Sequence, residues 1–304
     1  MKFQNIKYQI FFRIFILAFS LAVNCNYLIA QRSVEYSTIT TDYDHVEKFS
    51  KLNLIGHDAV VDSQRFPVKD FSMRNLKLRA AYLDIPASTF KLKPFPENSS
   101  EQTQAELAFL LELQNKRTPE IIAMTDSMAK VYYSPFVLNL FDADFECNAS
   151  SPFFIGRNLG KWFNYKNLPE TSRVLQNIYQ DATYYFFCLK ANFMRPRPCQ
   201  LNKEIKNLEM LSHGSYPSGH ASASYVNAFV LSEILPELKE IFLTNAYDVA
   251  FSREIRGVHY PSDSQAGKEF ARQFVNLLFK NEAFKSDFAK MKNELLKKKL
   301  ANGN

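Results

Sequence analysis

Three short segments hold residue types that do chemistry on anions. The first runs from Lys190 to Pro198 and contains Arg197. The second is Ser215-Tyr-Pro-Ser218-Gly219-His220. The third begins at Ser252-Arg253, reaches His259, and ends four residues later at Asp263. Together they offer three fixed cations, two imidazoles, one carboxylate and a Ser-Gly turn. Arginine gives planar, paired contacts to phosphate-type oxygens, and lysine supplies a point charge. Lys190, Arg197 and Arg253 in one pocket would repel one another unless an anion lay between them. A tetrahedral oxyanion carrying two or three charges is the natural guest. Two histidines and a carboxylate could also ligate iron or zinc, but three adjacent cations would repel the ion, so no metal is expected.

Each histidine comes with its own positioning device. Pro217 keeps a helix from running through, and Ser218 is a good N-cap. Gly219 and His220 would then open a helix whose free N–H groups can meet an anion. An ordinary cap beside an ordinary histidine has the same sequence. Pro261 suits the first position of another helix, and Asp263 falls in its first turn, where negative charge is favoured. Asp263 can hold one ring nitrogen of His259 and leave the other with its lone pair, a nucleophile. A purely structural His–Asp bond would have the same spacing.

The elements that must carry these residues are helical. Apolar positions recur at three- and four-residue steps, predicting helices over 101–115, 119–133, 171–190, 218–235, 238–251, 262–279 and 282–300. Residues 134–168 are aromatic and broken by Pro135, Pro152, Gly156 and Gly160. Pro86, Pro94 and Pro96 make 81–100 an irregular lead-in, and 31–80 reads as an N-terminal extension of low definition. The expectation is an all-α fold: a single-domain bundle around one core, over residues 81–300. Composition agrees. The 304 residues include 28 Phe and 15 Tyr but only 8 Gly, which excludes collagen-like and glycine-rich low-complexity chains. A hydrophobic share of 46% argues against disorder. No glycine-rich nucleotide loop is present. Half of the glycines, Gly214, Gly219, Gly257 and Gly267, fall around the second and third segments.

The N-terminus reads as an address. Lys2, Lys7 and Arg13 precede an apolar run over 14–23, and no acidic residue occurs before Glu35. A basic start, a short apolar stretch and a small residue at Ala30 predict a signal peptide over 1–30 and a periplasmic or secreted product. The run is shorter than the about 20 residues of a comfortable membrane span. The formal charge of +6 is mild, and about half of it belongs to that leader. The lysines at 297–299 suit a solvated helix end. Neither feature asks for a nucleic-acid partner. Cys147, Cys188 and Cys199 lie beyond the leader. In an oxidising compartment Cys188 and Cys199 are candidates for a bridge, and three separate thiols are the alternative.

Taken jointly, the three segments resemble the signature of the type 2 phosphatidic acid phosphatase superfamily, which also contains vanadium haloperoxidases. Gly214-Ser-Tyr-Pro-Ser-Gly-His220 and the run from Ser252-Arg253 to Asp263 are most similar to bacterial class A non-specific acid phosphatases. Tyr82-Leu83-Asp84 and Asn281-Glu-Ala-Phe284 resemble the same class. The resemblance covers roughly residues 80–295. It implies a helical bundle of the haloperoxidase type and a cofactor-free phosphomonoesterase acting on small phosphate monoesters. It implies His259 as the nucleophile that forms a phospho-histidine, Asp263 as its orienter, and His220 as the general acid. Lys190, Arg197, Arg253, Ser218 and Gly219 would hold the phosphate. Arg195-Pro196 precedes Arg197-Pro198, and the spacing from Lys190 selects Arg197. His220 would need to start protonated, so an acidic optimum is expected. The resemblance also implies two alternatives: a vanadate-dependent haloperoxidase, and a membrane-associated lipid phosphate phosphatase. The first group is generally longer, and the second needs several spanning helices that this sequence lacks beyond its leader. A homo-oligomer is compatible with the sequence. His45, His57 and His213 match no motif position.

Overall fold

Residues 58–302, Leu138 apart, are described by a computed structural model, and they form helices and loops with no strand among them. They all belong to the second of two compact units, Asp42–Asn304. The expected signal over 1–30 and the first part of the 31–80 extension lie outside the described residues. In chain order the α-helices are α1 (Ala59–Asp62), α2 (Glu101–Asn115), α3 (Pro119–Ala129), α4 (Phe145–Ser150), α5 (Pro169–Phe193), α6 (Pro198–Leu201), α7 (Gly219–Ile234), α8 (Lys239–Ile255), α9 (Pro261–Leu278) and α10 (Glu282–Ala301). Short 3-10 turns at Val68–Asp70, Arg74–Lys77 and Ala87–Thr89 occupy the lead-in.

The core forms around α7. Nearly all of its residues are buried, and α8 and α9 are its principal neighbours, with α5 also against it. Small residues permit this. A Cβ on Gly267 would lie 2.8 Å from Ala221 Cβ and 2.9 Å from the Ser218 carbonyl, so glycine there lets α9 approach the start of α7. Aromatic rings fill the layer beside it. Phe270 meets Phe90 at 4.9 Å and Phe274 at 5.5 Å, and Phe186 stands edge-on to Phe270 at 6.3 Å. Such pairs each add about 0.5–1.5 kcal/mol beyond the area they bury.

Local capping explains the helix starts. Ser100, Thr118, Ser218 and Asn281 each accept a backbone N–H of the helix they open. The long α5 has Leu168 before it and no side-chain cap of its own. Glu294 of α10 supplies the missing acceptor, taking the N–H groups of Glu170 at 3.1 Å and Thr171 at 2.7 Å. The lead-in is gripped by Asp181 of α5, whose carboxylate accepts from the N–H groups of Ala81, Tyr82 and Leu83 at 2.6–2.8 Å. Asn281 Nδ2 donates to the Tyr82 carbonyl at 2.8 Å, and Phe284 packs edge-on against the Tyr82 ring. The two outlying segments of the resemblance therefore meet in space.

Three sequence readings are settled differently. The helix expected over 119–133 stops at Ala129, and Val131 to Tyr133 continue without helix. The stretch read as broken contains α4 and a 3-10 run at Ser151–Leu159. Cys188 and Cys199 do not pair: both are half-buried thiols, and Cys147 is an exposed one.

Candidate active site

Lys190 sits on the last turn of α5, one turn beyond Phe186 and Phe187. The helix ends after Phe193 because Met194 turns into the left-handed region at φ 47°, with its N–H on the Lys190 carbonyl. A non-glycine residue there costs about 1–2 kcal/mol. The turn redirects the chain so that Arg195 and Arg197 follow Lys190 into the interior. Lys190 is 1% exposed, and its Nζ donates to the carbonyls of Gly214 and Ser215, each at 3.0 Å.

His259 is held by the start of α9. Asp263 Oδ2 lies 3.0 Å from His259 Nδ1 and accepts the Tyr260 N–H at 3.0 Å. Nδ1 must therefore carry the proton, leaving the Nε2 lone pair directed away from Asp263. Arg197 Nη1 is 3.1 Å from that Nε2 and also donates to the Val258 carbonyl. His220 uses its nitrogens the other way. Its Nε2 donates to the Ala129 carbonyl at 3.0 Å, where α3 ends, so Nδ1 is free for proton exchange. Tyr132 lies against the imidazole with ring centres 5.3 Å apart.

One cavity of about 300 Å³ is lined by Lys190, Gly219, His220, Arg253 and His259. Arg197 reaches it through His259. Ser218 is buried and its hydroxyl accepts the Ala221 N–H at 3.3 Å, so it caps α7 and does not line the cavity. Packing also favours glycine at 219: a Cβ there would stand 3.0 Å from the Phe186 ring, a tight contact. Among the described residues no group of three His, Cys, Asp or Glu side chains is arranged to hold a metal ion.

The protein's own charges oppose one another here. Burial first, then Arg197, pulls Lys190 well below the ordinary lysine range, against the pull of Asp263. Burial lowers Arg253 and brings Arg197 down to about 10. It also holds His259 well below the usual imidazole value, with Arg197 and Lys190 adding to the effect. His220 is pushed down to about 3 by burial, then by Arg253. Without an anion, burial and the protein's own cations therefore disfavour protonated His220, so an acid at this position would need the bound substrate to raise it. A dianion in the cavity would act on every one of these groups in the opposite sense.

Several residues that the motifs did not contain complete the arrangement. Arg195 is fully buried, and its guanidinium donates to Asp263 Oδ1 at 2.7 Å, Ser262 Oγ at 2.8 Å and Glu106 at 3.1 Å. Glu106, from α2, also accepts the Ser262 N–H at 2.8 Å, so its carboxylate caps α9 from another helix. Burial raises Glu106, and Arg195 counteracts that. The two neighbouring arginines thus divide: Arg197 faces the nucleophile side of His259, and Arg195 holds the carboxylate behind it. Glu209 bridges Arg253 and Arg256, at 2.7 Å to each. Burial works against that carboxylate, but Arg253 and Arg256 hold it down at about 2. His213 is not merely structural. Its Nδ1 lies 2.7 Å from Arg197 Nη2, and its carbonyl accepts Arg197 Nε–H at 3.0 Å. Arg197 cannot accept, so Nδ1 of His213 is the acceptor and its Nε2 carries the proton. Only the chemistry of neighbouring Arg-Pro pairs hinted at Arg195. Nothing in the local pattern marks Glu106, Glu209 or His213.

The segment holding all three motifs can be placed among known proteins. Residues 175–281 match the PAP2 superfamily. The PAP2 segment begins in α5 and ends at the cap of α10. The chain is 36% identical over 140 residues to the non-specific acid phosphatase of Providencia stuartii, covering 44% of this chain and 56% of that protein. It is 36% identical over 149 residues to the non-specific acid phosphatase of Salmonella typhi, covering 45% and 57%. The chain therefore spans little more than half the length of these curated relatives. A bacterial vanadium-dependent iodoperoxidase has a similar structure, with a TM-score of 0.50 at 17% identity over 77% of this chain and 63% of that one. That likeness concerns the fold, an all-α PAP2 and haloperoxidase arrangement. No described helix is long and apolar enough to cross a membrane.

Proposed function

We propose that this protein is an exported acid phosphatase that hydrolyses small phosphate monoesters through a phospho-histidine. The observation that carries the reading is His259: one nitrogen bound to Asp263, the other keeping its lone pair with Arg197 Nη1 3.1 Å away, in one cavity with Lys190, Arg253 and His220. The names of the relatives support the same activity. The basic, apolar start of the chain supports export.

In this reading His259 Nε2 attacks phosphorus in line with the ester oxygen. The P–N bond forms as the P–O bond breaks, and His220 Nδ1 delivers a proton to the departing oxygen. His220 then takes a proton from water, whose oxygen attacks the phosphoryl group and releases His259. Lys190, Arg197 and Arg253 face the three equatorial oxygens, where charge collects in phosphoryl transfer. The Gly219 N–H at the start of α7 adds a dipole of the right sign. No step in this sequence requires a divalent ion.

The test is turnover of a chromogenic aryl phosphate by the purified protein, with a metal chelator present, between about pH 4 and 7. Sustained hydrolysis is expected. Absence of turnover, or its complete loss on chelation, would refute the proposal. A His259→Ala variant should lose essentially all activity, and trapping of a base-labile or acid-labile phosphoryl group on the protein should fail in it. An acid-labile phosphoryl adduct is expected for wild type, as for a phosphoramidate.

A further inference from the structure

The cavity has a wall that the PAP2 segment does not provide. Ser72, Arg74 and Asn75 line it together with Lys190 and His259. They belong to the lead-in, before residue 175. Two backbone bonds fix this wall to the catalytic loops. Phe66 N–H donates to the Met194 carbonyl at 2.7 Å, and Ser72 N–H donates to the Ser212 carbonyl at 2.8 Å. The wall is thus tied to the turn after Lys190 and to the loop before Ser218.

Arg74 is held in a defined position there. Its guanidinium carbon stands 4.0 Å from the centre of the Phe136 ring. That contact uses one face of the guanidinium and leaves the in-plane N–H groups for other partners. No described carboxylate pairs with Arg74, and every charged side chain lining the cavity is Lys, Arg or His. The stretch with Tyr132, Ser134 and Phe136 runs along the cavity from His220 to Arg74. In-line transfer from His259 sends the leaving group toward His220, and so along this stretch. A cavity of about 300 Å³ holds a phosphoryl group and a leaving group of roughly one ring, the low end for small-molecule sites.

Resting on the phosphomonoesterase reading, we propose that Arg74 on Phe136 forms a second anion subsite. It directs the site to phosphate monoesters whose leaving group carries its own carboxylate or phosphate. The inner cations take the transferred phosphoryl group, and Arg74 takes the distal charge.

The experiment compares 4-carboxyphenyl phosphate with 4-carbamoylphenyl phosphate. The two leaving groups have nearly the same shape and differ by one negative charge; the neutral carbamoyl group withdraws electrons more, so leaving-group acidity alone would favour the carbamoyl ester. Wild type should favour the carboxylate ester about tenfold in kcat/KM, chiefly through KM, and added salt should reduce that ratio. Arg74→Gln should bring the ratio close to one, and Arg74→Lys should retain part of it. A ratio near one in wild type, or an equal ratio in wild type and Arg74→Gln, overturns the subsite. Failure to hydrolyse either ester would instead remove the phosphomonoesterase reading beneath it. A bisphosphate and its matching monophosphate, run in parallel, separate a distal phosphate from a distal carboxylate as the preferred charge.

Discussion

Asp263 spends both of its oxygens. Oδ2 orients His259, and Oδ1 is held by Arg195, which is in turn braced by Glu106. The Arg195 guanidinium also stacks 3.7 Å above the Tyr260 ring. A nucleophile built this way depends on tautomer as well as on position. Asp263→Asn is close in shape but can present an amide N–H to His259, favouring the tautomer with its lone pair on the wrong nitrogen. We expect kcat to fall by about 10²–10⁴, as loss of an orienting aspartate does elsewhere, with KM changed little. Turnover kinetics with an aryl phosphate decide it, and an unchanged kcat would contradict the assignment. Arg195→Met should act on stability instead, since it strands two buried carboxylates. Breaking such a network costs about 3–5 kcal/mol, measurable as a lower denaturant midpoint. The residue types of the motifs were legible in the sequence because function constrains them to short spacings. Glu106 was not, because it meets Ser262 across 156 positions.

At the scale of elements, the loop between α6 and α7 contributes more than its sequence suggests. It carries His213, which accepts from Arg197, and Glu209, which neutralises Arg253. The loop is pinned by Arg256, which also pairs with Asp126 of α3 and accepts the Leu208 N–H at its carbonyl. Glu209 therefore competes for Arg253 with any anion in the cavity. Glu209→Gln keeps hydrogen-bonding capacity but removes the charge. We expect inorganic phosphate to inhibit about tenfold more strongly in this variant, with kcat lowered as product leaves more slowly. Product-inhibition kinetics measure both. Weaker phosphate inhibition would mean that Glu209 serves only to position Arg253. Helices, by contrast, were read closely where caps mark them: Glu101–Asn115 was expected and found, and the ends of α7, α9 and α10 moved by at most one position, while α8 runs four residues past the expected 251 and α5 extends beyond 171–190 at both ends. Periodicity and caps specify them locally. The loop has no period, so its partners emerge only from tertiary packing.

For the molecule as a whole, the decisive quantity is how many protons the folded state refuses. His213, His220 and His259 are all depressed, by burial before any other cause. The composition could not show this, because a histidine's neighbours in space set its depth. A free imidazole titrates near 6.5. Between that value and the folded values, the unfolded chain binds protons that the native protein does not. Stability then rises with pH across this window and is lost as pH falls below about 6.5, each histidine contributing up to about 1.4 kcal/mol per pH unit. Buried acids work in the opposite sense. Glu106 and Asp181 are raised by burial, and Asp248 is raised to about 6, so each favours the native state as pH falls. The histidine contribution is isolated by its dependence on the site's ligand. Inorganic phosphate in the cavity favours protonated His220 and returns its pKa toward the ordinary range. Thermal unfolding followed from pH 7 to pH 4 should therefore show a steeper fall of Tm without phosphate than with it. His220→Asn, which cannot take up the proton, should reduce that difference. Parallel curves with and without phosphate would mean that the buried imidazoles do not respond to an anion in the cavity.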